Sequence, residues 1–372
     1  MSRPTSARID LGALRDNFRT IRRQVSAART WAVIKANGYG HGLIPVARAL
    51  SEADGLAVSS LEEAVLLREA GIRQPILLLE GLFEGEEVRA AYEVGVELVV
   101  HAEEVLVLLE STPLLWPRLW IKIDTGMNRL GFRMDEFPDV YARIRRLSVK
   151  APGLMTHLAS ADQPHNPEAE AQLASFERIT HGHPGPRSLA NSAAILQYPQ
   201  CHSDWVRPGL LLFGVSPIAG RRLESIGLRP VMTFASAIMA VKRVRKGDRV
   251  GYGGVFQAPR DGWIGIAAAG YGDGYPYHAP SGTPVMVGGR ILPLAGRVSM
   301  DMIAVDTGAD PVPVGEPVIL WGHELPVEEV ARHAGTIPYE LLCGVAQRVR
   351  HEWVDVPEED ANHAETVDHL SL

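Results

Sequence analysis

Apolar positions along the chain fall into two textures that change near residue 229. From residue 8 to about 215, short apolar runs alternate with segments whose apolar residues recur every three or four positions. The first periodic segment follows Asp10, a residue suited to capping a helix, and puts Leu11, Leu14, Phe18, Ile21 and Val25 on one face. Eight runs then read as strands: "WAVIK", "GLAVSS", "PILLLEG", "VELVVH", "LWIKID", "PGLMTHLAS", "RSLANS" and "WVRPGLLLFG". Between them, "LEEAVLLREAG", "EEVRAAYEVG", "AEEVLVLLES", "EFPDVYARIRRL" and "AEAQLASFERITHG" read as amphipathic helices. Eight strands alternating with helices predict an α/β fold, an (α/β)8 TIM-type barrel. The competing doubly wound sheet wants a G-x-G-x-x-G after its first strand, and none is there.

Past residue 229 glycine, proline and short alternating runs take over, as in "DRVGYGGVFQ" and "TPVMVGGRILPLAGRVSMDMIAVD", with one short helix at "PVEEVARHAG". That is hairpin chemistry and predicts a mainly β-strand C-terminal domain. The expected division is a barrel over 8–228, a β domain over 229–356 that residues 1–7 could join, and a polar tail over 357–372.

A length of 372 residues suits two domains, and 46% hydrophobic with 22% charged residues suits an ordinary globular protein. The net charge of −7 argues against nucleic acid or an anionic membrane as a partner. The N-terminus lacks the apolar core of a signal peptide, and no segment is long enough to span a bilayer. Two widely separated cysteines, Cys201 and Cys343, in no metal-ligand spacing, fit a reducing compartment; the expected location is cytoplasmic, with no metal.

Lys35 ends the first strand candidate, just before "ANGYGHG". An ammonium group taken out of water must be paired, neutralised or covalently used, although a strand-terminal lysine can also snorkel to solvent. Barrel chemistry sits at the C-terminal ends of the strands, so this placement favours a Schiff-base lysine. Taken singly, the other polar residues at strand ends read more readily as solvated, salt-bridged, capping or packing groups than as site residues.

Taken together and in order, "AVIKANGYGHG", "KIDTGMNRLGF", "THLASAD", "LANSAA", "WVRPG", "DRVGYGG", "GYGDGYP" and "GRVSMDM" resemble the alanine racemase family over about residues 6 to 350. The resemblance implies a barrel plus β domain, pyridoxal 5′-phosphate (PLP) as cofactor, and interconversion of L- and D-alanine, supplying D-alanine for cell wall or degrading it. It implies that Lys35 holds PLP covalently and that Tyr39, Asn191, Ser192, Gly209 and Leu210 serve its phosphate. It places Arg129 near the phenolic oxygen and the substrate, held by Lys122, which some members carbamylate. It places Arg207 at the pyridine nitrogen with His157 behind it. Tyr252 becomes a second base opposite Lys35, while Tyr271, Met300 and Asp301 serve the substrate. These β-domain residues reach the other subunit's barrel, so the implied assembly is a homodimer with shared active sites. Gln347 departs from relatives that carry a phosphate-binding tyrosine there. A PLP-carrier protein, a basic amino-acid decarboxylase and a broad-specificity or serine racemase are the rival readings. The domain after residue 229 counts against the first, and the cysteine positions count against the second.

Overall fold

The structure is a computed structural model and describes residues 3–25 and 27–355; the expected polar tail at 357–372 lies outside the described residues. Strand β1 (Ser6–Asp10) precedes a helix over Leu11–Val25, whose amide at Ala13 donates to the Asp10 carboxylate at 2.8 Å. Eight parallel strands then close into a barrel: β2 (Arg29–Val33), β3 (Gly55–Val58), β4 (Ile76–Leu78), β5 (Glu97–Val100), β6 (Leu119–Lys122), β7 (Gly153–Met155), β8 (Arg187–Asn191) and β9 (Trp205–Arg207). Strand β2 overlaps its run but starts two residues before it, at Arg29, and the other seven lie inside runs that the apolar pattern marks as strands. The last is shorter than its run, because the chain turns at Gly209 and bonds Leu212 N to Gly209 O (2.9 Å) instead of continuing the ladder. No helix among the described residues is long and apolar enough to cross a membrane.

The barrel floor is aromatic. Trp31 stacks on Trp205 with ring centroids 4.3 Å apart, and Trp120 meets both edge-on at 6.2 and 6.4 Å. Strands β2 and β6 are not neighbours, so these rings meet across the barrel interior. Gly55 and Gly153 make the room, since a Cβ on either would collide with the Trp31 or Trp120 ring. Trp120 and Trp205 lie toward their strands' N-terminal ends and Trp31 at the middle of β2, which leaves the C-terminal mouth for chemistry.

The remaining strands are β10 (Met232–Val244), β11 (Arg249–Val250), β12 (Phe256–Gln257), β13 (Gly262–Ala267), β14 (Pro284–Val287), β15 (Arg290–Pro293), β16 (Ile303–Gly308), β17 (Pro317–Trp321) and β18 (Arg350–Val354). The long β10 is the spine, pairing antiparallel with β1, β13 and β17. Strand β1 also pairs in parallel with β18, so the first strand belongs to the C-terminal sheet. The sheet carries two short helices, Val327–Ala334 and Pro338–Cys343, of which the second was not expected from the pattern.

Candidate active site

The strand carrying Lys35 stops two residues earlier than the apolar run implies, at Val33, and Lys35 opens a tight turn. Ala36, Asn37, Gly38, Tyr39 and Gly40 all have left-handed backbone, with φ of 53°, 54°, 62°, 52° and 77°. Each non-glycine residue held so costs roughly 1–2 kcal/mol. Local bonds offset part of this: Gly38 N donates to Ile34 O at 2.8 Å, Gly42 N to Asn37 O at 2.9 Å, and Leu43 N to Asn37 Oδ1 at 2.8 Å. The C-terminal domain supplies the rest. Trp353 Nε1 donates to His41 O at 2.8 Å, His351 Nε2 to Gly40 O at 3.2 Å, and the Leu342 carbonyl abuts Gly40. His41 is fully buried and its Nδ1 faces two carbonyls, Tyr39 O at 2.8 Å and Gly38 O at 3.1 Å, so Nδ1 carries the proton. Burial pushes its pKa down to about 4, which keeps the ring neutral.

Around this turn the barrel mouth gathers cations. Lys122 ends β6, Arg207 ends β9, and Arg129 sits on the loop after β6, which Asp124 shapes by accepting from Gly126 N and Asn128 N. The chain has five lysines, at 35, 122, 150, 242 and 246, and two of them lie here. Desolvation, then Arg207, Arg129 and Lys35, push Lys122 down to about 8. Arg207 is buried, and its Nη1 donates to Ser188 Oγ (2.6 Å) while Nη2 donates to Thr156 O (2.6 Å) and Leu189 O (3.1 Å). Desolvation lowers its pKa to about 10, and it stays a pure donor at neutral pH. Nη2 also lies 3.4 Å from His157 Nδ1, which must therefore accept. Burial and these cations push His157 down to about 3. Among the described residues Lys122, Arg129 and Arg207 form no salt bridge. Such a pocket suits an anionic ligand.

A second feature lies between the ends of β8 and β9. Ser192 Oγ accepts from Gly209 N (2.9 Å) and Leu211 N (3.4 Å), leaving its own hydrogen free to donate. Asn191 caps the short helix Ser192–Gln197 through Ala194 N at 3.0 Å. Leu210 is buried below. The Tyr39 hydroxyl reaches the same spot, because a Cβ on Gly209 would collide with it. Its ring leans on Phe213 and Tyr339, at 4.9 and 5.9 Å, and burial drives its pKa upward, so it is a neutral donor. Bare backbone, a serine and a tyrosine hydroxyl thus meet where barrels hold phosphate.

The structure brings Lys35, Tyr39, Lys122, Arg129, His157, Asn191, Ser192, Arg207, Gly209 and Leu210 to one mouth. It does not bring Tyr252, Tyr271 or Met300 there: they stand 71%, 41% and 53% exposed on the β domain. Gln347 is also exposed. Asp301 accepts from Arg348 at 2.8 Å and from Arg3 at 3.3 Å, and both arginines also grip the buried Asp273. It anchors the loop that bears Met300. Sequence reasoning missed Ser188 and Thr156, which hold Arg207, and Glu80, whose Oε1 lies 3.1 Å from Lys35 Nζ. Glu80 ends its apolar run just as Lys35 does, so the same strand-end rule could have found it.

Comparison with known proteins agrees with this architecture. The family model "Alanine racemase, N-terminal domain" matches residues 9–217, and "Alanine racemase, C-terminal domain" matches residues 231–353. The alanine racemase of Thioalkalivibrio sulfidiphilus is 51% identical over 362 residues, covering 95% of this chain and 100% of that one. That of Nitrosomonas europaea is 51% identical over 359 residues, covering 94% and 98%. The crystal structure of biosynthetic alanine racemase from Pseudomonas aeruginosa shares the fold with a TM-score of 0.92 at 42% identity, over 95% of this chain and 99% of that one. Both domains are matched in tandem by the models of one family, and relatives at about half identity align over nearly the whole length; the chain belongs to the alanine racemase family.

Proposed function

We propose that alanine racemisation by this chain runs on PLP held at the barrel mouth, with Lys35 and Tyr252 transferring the α-proton from opposite faces. The observation that carries this is the cationic strand-end cluster beside the Tyr39–Ser192–Gly209 cradle, which fits a phosphorylated aldehyde. When bound, PLP supplies an aldehyde for an amino group and an electron sink that acidifies the neighbouring C–H bond. Lys35 is its covalent holder. Tyr39, Asn191, Ser192 and the backbone at Gly209 and Leu210 would hold the phosphate. Arg207, backed by His157, would face the ring nitrogen, and its guanidinium cannot act as an acid there. Arg129 would bind the phenolic oxygen and the substrate carboxylate.

Inversion requires a proton to leave one face and return to the other. Lys35 Nζ takes or returns the proton of D-alanine, and the Tyr252 hydroxyl does the same for L-alanine. Tyr252 sits on a glycine turn with φ of 72°, 69° and 54° at Gly251, Gly253 and Gly254, projecting from the domain surface. Its exposure supports a homodimer in which the partner copy brings Tyr252, Tyr271, Met300 and the Asp301-anchored loop to this mouth. Both cysteines are free, which suits a cytoplasmic setting.

The test is Tyr252→Phe, which removes only a hydroxyl. Racemisation should fall about a hundred- to ten-thousand-fold. Exchange of the α-proton with deuterated solvent should persist for D-alanine and nearly vanish for L-alanine. Inactive Lys35→Ala and Tyr252→Phe chains, mixed, should regain one working site per heterodimer. Equal loss of both exchanges would defeat the two-face assignment, and verified heterodimers without activity would place both residues in one chain's site.

A further inference from the structure

Lys35 is the one residue of the cationic cluster with a carboxylate at bonding distance among the described residues. Glu80 comes from the end of β4, and its Oε1 lies 3.1 Å from Lys35 Nζ. The backbone that carries Glu80 is pinned on both sides. Leu79 N donates to Val58 O at 2.9 Å, and His101 Nε2 donates to Glu80 O at 2.8 Å. Gly81 turns away with φ of 79°, and a Cβ there would stand 3.0 Å from His101 Nε2. His101 O in turn accepts from Gly131 N at 3.1 Å, tying Glu80's support to the loop that bears Arg129. Nothing in the covalent role of Lys35 requires this carboxylate.

A lysine that carries a cofactor spends part of every turnover detached. Its amino group then sits on a flexible four-carbon stem among Lys122, Arg129 and Arg207, all of the same charge. Repulsion and rotamer freedom would both draw it off the reacting carbon. We propose that Glu80 is a positioning residue that takes the Lys35 amino group in a charge-assisted hydrogen bond whenever that amine is free of the cofactor. This rests on the assignment of Lys35 as the D-alanine base. Glu80 thereby sets where proton transfer to and from D-alanine begins and ends, and leaves the Tyr252 face untouched.

The contact itself is testable without turnover. In the cofactor-free chain, a water-soluble carbodiimide should join the Glu80 carboxyl to the Lys35 amine as an amide, releasing the urea. Peptide mapping should find that link, and PLP loading followed by borohydride should abolish it, as should Glu80→Gln. In the loaded enzyme, Glu80→Gln should slow α-proton exchange from D-alanine about fivefold, the size of a partly exposed ion pair. Exchange from L-alanine should change much less, and Glu80→Asp, which restores a carboxylate, should recover most of the loss. Two results would overturn the proposal: no link in a cofactor-free chain whose Lys35 is still acylated by acetic anhydride, or equal slowing of both exchanges by Glu80→Gln. Failure of the two-face assignment is separate: Tyr252→Phe would then lose both exchanges equally while the Lys35–Glu80 link still forms.

Discussion

Gly40→Ala isolates how the two domains jointly hold the Lys35 turn. Gly40 has φ of 77°, and an added Cβ would overlap the Leu342 carbonyl and lie 3.3 Å from Cys343 Cα, all backbone that cannot rotate away. The left-handed conformation costs alanine about 1–2 kcal/mol. Forcing a methyl group against packed backbone adds about 1–3 kcal/mol. Reduced freedom of the unfolded chain returns about 0.4–1 kcal/mol. The net loss should be about 1–5 kcal/mol. Gly71→Ala is the matched control, with φ of 81° and nothing within 4 Å of the added Cβ, so it carries the conformational cost alone. Urea unfolding of both variants in the cofactor-free state separates the two contributions. Because the turn carries Lys35, a displacement of about 1 Å should also cost about a hundredfold in kcat, which Gly71→Ala should not. If Gly40→Ala costs no more than Gly71→Ala and keeps full activity, the close approach of Leu342 does not hold the turn.

Arg207→Lys keeps the charge but loses the fork that reaches Ser188, Thr156 and Leu189 together. Two buried partners left unpaired should cost about 2–4 kcal/mol in urea unfolding, and a loss under about 0.5 kcal/mol would show that the fork is dispensable. A separate prediction concerns acid. His41 and His157 are neutral in the fold, with pKa values of about 4 and about 3, but take protons near 6.5 once unfolded. The unfolded chain therefore binds more protons below 6.5, and stability is lost as pH falls from there. At pH 4.5 each has cost on the order of 2–3 kcal/mol, His41 slightly the less because it begins to protonate in the fold. Unfolding midpoints that stay flat from pH 6.5 to 4.5 would contradict this, and His41→Gln should show a shallower slope than the parent.

The barrel was legible because its strands are buried on both faces and its helices on one, which writes two different periods into the sequence. Lys35 was legible for a related reason: a charge closing an apolar run stands out, whereas Lys122 and Arg207 were legible only through the motifs that resemble the family. The left-handed turn was not, because nothing in "KANGY" by itself requires Ala36, Asn37 and Tyr39 to adopt positive φ. Its support comes from Leu342, His351 and Trp353, some 300 residues away. The helix Pro338–Cys343 escaped because six residues are too few to show a period. Strand β1 was only half legible. "SARID" alternates buried and exposed positions as a strand should, but its partners lie in the other domain. Tyr252 was legible as a motif, whereas its exposed position is a property of the folded chain.

The pairing of β1 with β18 also dictates the order in which a nascent chain can mature. Ser6 leaves the ribosome about 340 residues ahead of its partner Arg350, an interval of roughly 17 to 70 s at ordinary rates of synthesis. Strand β10 reaches the waiting edge first and can cover one side of β1. The other side stays open until nearly the last described residues emerge. Those same residues bring His351 and Trp353 to the carbonyls of Gly40 and His41. A translation product cut short before residue 350 would thus expose an unpaired strand and lack the clamp on its lysine turn. Arrival of β18 is in effect checked at the Lys35 turn, since the last strand among the described residues is the one that fixes the backbone beside Lys35.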